Sequence, residues 1–154
     1  MGSADRRARL LAALFLFGAA AAMCGTAAGQ GPFEPPKPPD PSERVVALIR
    51  QDQSDCHNGN VNDSDPSLIG GTVWVVRSGG ITRVKVAMTA QPNTTYHFFL
   101  KCVRILGDIK TEDEGVGFGS FEFQTNSSDN VYAFDMYPEG APPGNKYQSV
   151  QVKY

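Results

Sequence analysis

Histidine and cysteine are scarce in this chain of 154 residues, which has only 2 His and 3 Cys. A catalytic copper or zinc site needs three or more imidazole, thiolate or carboxylate ligands that converge on one point. The two histidines, His57 and His97, are far apart in the sequence, and no His-x-His pair occurs. The sequence therefore argues against a catalytic transition-metal site, and even a two-histidine site would require His57 to approach His97 in the fold.

Basic residues are also few. From residue 31 onward the chain carries 11 Lys and Arg against 15 Asp and Glu, and it has no Arg-rich run. Proteins that bind nucleic acid present a basic patch or stripe, so we do not expect a nucleic-acid partner.

Signatures of catalysis are missing as well. No Gly-x-Ser-x-Gly motif occurs, and no Ser or Asp is tied to a histidine by a recognisable spacing. The run "GVGFG" at 115–119 precedes a Phe-rich strand instead of a helix, so it does not match a dinucleotide-binding loop and indicates a turn and bulge. We predict that the protein is not an enzyme.

Only one long apolar run is present, and it lies at the N-terminus. Leu10–Met23 follows three arginines at positions 6–9 and precedes the small residues 25–29, which is the layout of a secretory signal peptide over residues 1–29. The run is shorter than the ~20 residues that a membrane-spanning helix needs, so no membrane span is expected in the mature chain. A lipoprotein anchor at Cys24 is disfavoured because Met23 stands where a small residue is expected. These features predict a secreted or periplasmic protein.

Residues 30–43 are rich in proline, with six prolines between Gly31 and Glu43. Proline fixes φ and lacks the backbone donor, so this segment predicts an extended spacer before a domain that covers residues 44–154. Two cysteines remain after processing, and an even pair in an exported chain predicts a Cys56–Cys102 disulfide, with two free thiols as the alternative.

Residues 44–154 alternate between apolar and polar positions. In "TRVKVAMTA", for example, Val84, Val86 and Met88 share one face, and similar patterns separated by Gly, Pro, Asn and Asp clusters recur through the chain, including single strands over 130–137 and 147–154. In "TYHFFLKCV" the alternation predicts that Cys102 faces the core with Leu100 and that Lys101 faces outward. The pattern predicts seven strands, with an eighth around "LGDIKT"; only "SERVVALIR" could instead be a short helix. We therefore predict an all-β fold, a single antiparallel β-sandwich of the immunoglobulin-like or a related type.

The stretch "PNTTYHFFLKC…LGDIKTEDEGVGFGSFEF" resembles small exported β-sandwiches, namely the chordin-type (CHRD) and copper/zinc superoxide-dismutase-like domains. The resemblance covers roughly residues 70–137 and consists of the order of its strands and turns. It implies a fold of that kind and no activity, since the chain lacks the histidines of the metal-binding members.

The segment 52–65 is the long polar loop of the predicted domain. Calcium takes six to eight oxygen ligands, and this loop carries seven residues that could supply them, although irregular loops use the same residues for Asx-turns. We predict a contact loop or a calcium site here, formed by Asp52, Asp55, Asn58, Asn60, Asn62, Asp63 and Asp65. Three N-glycosylation sequons begin at Asn62, Asn93 and Asn126.

Together these observations predict a non-catalytic module, binding or structural, that meets a protein or glycan ligand at the cell exterior or in the periplasm. Its contact surface would be the loop 52–65, with the exposed aromatic side chains of Phe99, Phe118 and Tyr137 as possible additions. The alternatives are a metal-dependent enzyme or calcium-binding protein on the same sandwich, and an assembly subunit that pairs through an edge strand.

Overall fold

A computed structural model describes residues 40–126, 128 and 130–154. The predicted signal peptide (1–29), Cys24 and residues 30–39 of the predicted spacer lie outside the described residues.

Every strand pairing in the described chain is antiparallel. One sheet contains eight strands in the order β5-β4-β8-β9-β1-β2-β3-β6, and β10 and β7 form a separate ribbon. The strands are β1 (Glu43–Ile49), β2 (Ile69–Ser78), β3 (Ile81–Thr89), β4 (Thr95–Leu100), β5 (Arg104–Lys110), β6 (Val116–Gln124), β7 (Val131–Tyr132), β8 (Phe134–Pro138), β9 (Tyr147–Ser149) and β10 (Val152–Lys153). A short 3₁₀ helix, Pro66–Leu68, precedes β2. The all-β antiparallel fold is confirmed, the eighth strand is present as β5, and "SERVVALIR" forms a strand.

The two halves of the large sheet face each other across a single core. Alternation in β3 buries Val84, Val86 and Met88, as predicted, and leaves the intervening residues outside. Phe98 of β4 lies at the centre, stacked on Phe121 with ring centroids 5.0 Å apart and on Phe134 with centroids 5.4 Å apart. Burial of such rings is the main stabilising contribution in a core of this kind.

The two ends of the sheet, β5 and β6, lie side by side, and the contacts between them involve side chains packed against glycines. A Cβ atom at Gly119 would lie 2.7 Å from the Phe121 ring and 2.8 Å from Ile109, and one at Gly107 would also lie 2.7 Å from Phe121. These glycines leave room for the two side chains that fill the seam. In the "GVGFG" run only Gly115, at φ +79°, lies in a turn, because Gly117 and Gly119 belong to β6.

Two predicted strands are each broken in the middle. The strand predicted over 130–137 is interrupted at Ala133, where the chain passes from the β10–β7 ribbon into the large sheet and Phe134 N donates to Ser149 Oγ (3.0 Å). The strand predicted over 147–154 is interrupted at Val150, whose N–H donates to Ala47 O (3.0 Å).

The predicted disulfide is formed between Cys56 and Cys102, whose Cα atoms are 5.5 Å apart. The prediction that Cys102 lies on the core side of β4 is wrong. The strand ends at Leu100, and a tight turn follows in which Val103 N donates to Leu100 O (3.0 Å). Cys102 adopts φ +57° in this turn and is exposed, so the disulfide ties the loop 52–65 to a turn.

Candidate functional site

The loop 52–65 is attached to the outer face of β4 and β8 through a buried lysine. Lys101 directly follows β4 and is only 8% exposed. Its Nζ donates to Gln53 O (2.6 Å) and to Asn58 Oδ1 (2.6 Å), and it lies 3.6 Å from Asp135 Oδ1. A buried ammonium group is tolerated only when it has such partners.

Asn58 is the second anchor of the loop. It is fully buried at φ +52°, a conformation that Asn tolerates better than most residues. Its Nδ2 donates to Phe134 O (3.2 Å) and to Ser149 O (2.9 Å). Asn58 thus joins the loop to two strands and to Lys101, which makes it a structural residue and not an exposed oxygen ligand.

Asp135 is the carboxyl group of this buried network. Burial raises the pKa of Asp135, and the nearby Lys101 charge opposes that rise. Its Oδ1 atom is buried and has no hydrogen-bond partner among the described residues. The sequence indicated Lys101 as an outward residue of β4, and the loop covers that outer position.

The remaining oxygen-bearing residues of the loop are spread along it. Asp55 accepts a hydrogen bond from Gly59 N (2.6 Å), which lowers the pKa of Asp55, and Asp65 accepts from Ser67 N (2.9 Å) at the start of the 3₁₀ helix. Asn62 Oδ1 accepts hydrogen bonds from Ser64, and Asp52 forms an ion pair with Lys146 (2.8 Å). The side chains of Asn60 and Asp63 are exposed. Across the described part of the chain, no three His, Cys, Asp or Glu side chains are placed to hold a metal ion.

The two histidines have different partners. His97 Nδ1 lies 2.7 Å from Asp108 Oδ1, and Nε2 lies 3.4 Å from Glu139 Oε2. The hydrogen bond to Asp108 raises the pKa of His97, and Glu139 adds to that effect. His57 is exposed beside the disulfide, and its carbonyl accepts from Gln151 Nε2 (2.7 Å).

All three sequon asparagines are exposed. Asn62 lies in the loop, Asn93 lies in the turn before β4 at φ +51°, and Asn126 follows β6. Their glycosylation stays a prediction, as does calcium binding by the loop.

An aromatic groove lies on the outer face of β1, β2, β3 and β6. In β2, Val73 and Val75 are buried, so the intervening Trp74 is on the outside. Trp74 is paired with Lys85 of β3, and Phe118 of β6 is paired with Ala87 of β3. The groove has a volume of about 650 Å³, and its lining includes the side chains of Glu43, Trp74, Lys85, Ala87, Phe118 and Ser120.

The side chain of Phe118 is unusual because the residue is 70% exposed, although Phe is normally buried. Trp74, which is the only tryptophan of the chain, lines the same groove on the other side of β3 and is partly exposed. Phe118 was among the aromatic residues proposed from the sequence, and Trp74 was missed. The alternation of "TVWVV" was the signal that could have placed Trp74 outside.

Phe99 and Tyr137, the other two aromatic residues proposed from the sequence, lie on a different surface. They stack with centroids 4.7 Å apart on the outer face of β4 and β8, next to the turn that contains Cys102. Lys146 Nζ lies 5.9 Å from the Tyr137 ring centroid. A smaller cavity of about 410 Å³ lies on this surface. It is lined in part by Lys101 and Asp135, which also belong to the network that anchors the loop 52–65.

None of the described residues belongs to a helix long and apolar enough to cross a membrane. A scan of protein-family models gives no match to this chain, and a search of the curated proteins also gives no match. The resemblance to chordin-type and superoxide-dismutase-like domains stays a prediction.

Proposed function

We propose that this chain is a non-catalytic binding module, secreted or periplasmic, and that its contact surface is the aromatic groove. The observation that carries the proposal is the 70% exposure of Phe118, which lines the same groove as Trp74. Exposed aromatic side chains in a groove are typical of binding sites, because a ligand removes their apolar surface from water.

The disulfide supports the location that the proposal assumes. Cys56 and Cys102 are both exposed and are bonded to each other. Such bonds persist in oxidising compartments, that is, outside the cytoplasm.

The groove is a better contact surface than the loop 52–65. Asn58 is buried, and Asp52 is paired with Lys146. Asp55 accepts a hydrogen bond from the backbone of the loop, and Asp65 accepts one from the backbone of the 3₁₀ helix that follows it. These interactions already use part of the hydrogen-bonding capacity of the loop. In the groove, Phe118 has its ring in solvent and loses nothing on contact except water.

The test is retention of the purified protein on insoluble cell-surface material from the source organism. Phe118→Ala should lower retention about tenfold or more, as loss of a central aromatic contact does in other interfaces. Ile105→Ala is the matched control, because Ile105 is 51% exposed on β5, outside the groove. Equal retention of the wild type and Phe118→Ala, or no retention of the wild type, would overturn the proposal.

A further inference from the structure

We propose that the groove binds a neutral oligosaccharide whose sugar rings stack on Trp74 and Phe118, an inference that rests on the proposed function. Sugar rings combine apolar C–H faces with hydroxyl groups around their edges. A matching site therefore needs exposed aromatic rings with hydrogen-bonding side chains beside them.

The spacing of the two aromatic residues fits an extended ligand. Trp74 and Phe118 are separated by β3 and by two positions along the strands, since Lys85 is opposite Trp74 and Ala87 is opposite Phe118. With ordinary strand spacing and rise, their Cα atoms are about 12 Å apart. One ring cannot lie over both side chains, so a chain of linked rings is the ligand that uses both.

The floor between the aromatic residues is shallow. It includes Ala87 of β3, whose side chain is a single methyl group. A flat ligand can therefore lie across β3 at Ala87, with the longer side chain of Lys85 next to it. Strands also form a rigid platform, so little conformational entropy is lost when a ligand binds.

Three polar side chains border the groove and offer both kinds of hydrogen bond. Glu43 accepts, Lys85 donates, and the Ser120 hydroxyl does both. Hydroxyl groups of a sugar also donate and accept, so each of these side chains can be paired with a sugar hydroxyl.

The charges of this face favour a neutral ligand. Glu43 and Lys85 contribute opposite charges to the groove, and the adjacent pair Arg83–Glu122 (3.5 Å) is also balanced. An acidic or basic polymer would gain from one charge of the groove and be repelled by the other.

The first experiment follows the fluorescence of Trp74 during titration with the neutral and acidic glycan fractions released from the same cell-surface material. The neutral fraction should produce a saturable change, and the affinity should change less than about twofold between low and high salt, because screening acts on charged pairs. Phe118→Ala should bind about tenfold more weakly, which corresponds to about 1.4 kcal/mol. Lys85→Gln should weaken binding less than Phe118→Ala, and Lys110→Gln, on β5, is its control.

The second experiment separates this inference from the proposed function. Cell-surface material is treated either with periodate, which oxidises sugars, or with protease, and retention is measured again. Loss of retention after periodate alone supports the oligosaccharide. If retention still depends on Phe118 but is lost only after protease, the groove binds a protein. That result would refute oligosaccharide binding and leave the proposed function standing.

Two further outcomes would also refute oligosaccharide binding in the groove. One is a fluorescence change with the acidic fraction only, together with loss of that binding at high salt. The other is a concentration-dependent dimer of the wild type that Phe118→Ala abolishes in sedimentation experiments, since the groove would then bind a second copy of this chain.

Discussion

Replacement of Asn58 by alanine is expected to cause a large loss of stability. The substitution removes the hydrogen bond to the charged Lys101 Nζ, worth about 2 kcal/mol, and those to the carbonyls of Phe134 and Ser149, worth about 1 kcal/mol each. Alanine at φ +52° adds a backbone cost of about 1 kcal/mol. The expected decrease in the free energy of unfolding is therefore about 5 kcal/mol. This is a large part of the total free energy of unfolding of a typical domain, which is roughly 5–15 kcal/mol.

The backbone and side-chain contributions can be separated with a second variant. Asn58→Gly loses the same hydrogen bonds, but glycine adopts a positive φ freely, so it should be more stable than Asn58→Ala by about 1 kcal/mol. Urea unfolding followed by far-ultraviolet circular dichroism, with the disulfide intact, measures both values. Asn60→Ala is the matched control, because Asn60 is exposed in the same loop. A loss in Asn58→Ala no greater than in Asn60→Ala would refute the claim that this residue anchors the loop.

Three more predictions concern the disulfide, the seam and the pH dependence. Replacing Cys56 and Cys102 by serine, which opens a loop with a sequence separation of 46, should lower the free energy of unfolding by about 4 kcal/mol in urea titrations. Gly119→Ala should lower it by about 1–3 kcal/mol, because the added methyl group overlaps side chains in the seam. His97 should titrate above its ordinary value of about 6.5 in an NMR experiment, and Asp108→Asn should lower that pKa. Folding raises the pKa of His97, so protonated His97 stabilises the folded state. This stabilisation should be complete below about pH 6.5 and should be lost as pH rises through the raised pKa.

Each of these predictions has a clear opposite result. A Cys-to-Ser variant as stable as the wild type would mean that the disulfide does not constrain the unfolded chain. Gly59→Ala is the control for the seam, since a Cβ atom at Gly59 has its closest neighbour at 3.5 Å; equal losses in both glycine variants would contradict the packing argument. An unchanged His97 pKa in Asp108→Asn would assign the shift to another group.

The strands were predictable because each is specified by its own residues. Alternation at Val84, Val86 and Met88 is enough to identify a half-buried strand, and it also fixes the inward face. The break at Ala133 was not predictable in this way, because the alternation of Tyr132, Phe134 and Met136 continues through it. The chain changes partners there, and partner choice depends on residues far away in the sequence.

The candidate site was predictable only in part, for a similar reason. Phe118 and Trp74 are both placed outside by alternation, but the groove between them exists because β3 brings β2 and β6 together in one register. The role of Asn58 could not be predicted from the polar composition of the loop. Its partners Lys101, Phe134 and Ser149 come from distant parts of the chain, and only the folded structure brings them to one amide group.

The seam between β5 and β6 also has a consequence for the order of folding. These strands are consecutive in the chain, so the two ends of the sheet are brought together by a short connection that costs little entropy. The pairing in the middle of the sheet is different. There β1 pairs with β9 through Leu48 and Ser149, which are about a hundred residues apart in the chain. We therefore expect the pairing of β1 with β9 to limit the folding rate, and destabilising changes in β9 should slow refolding more than equal changes in the seam.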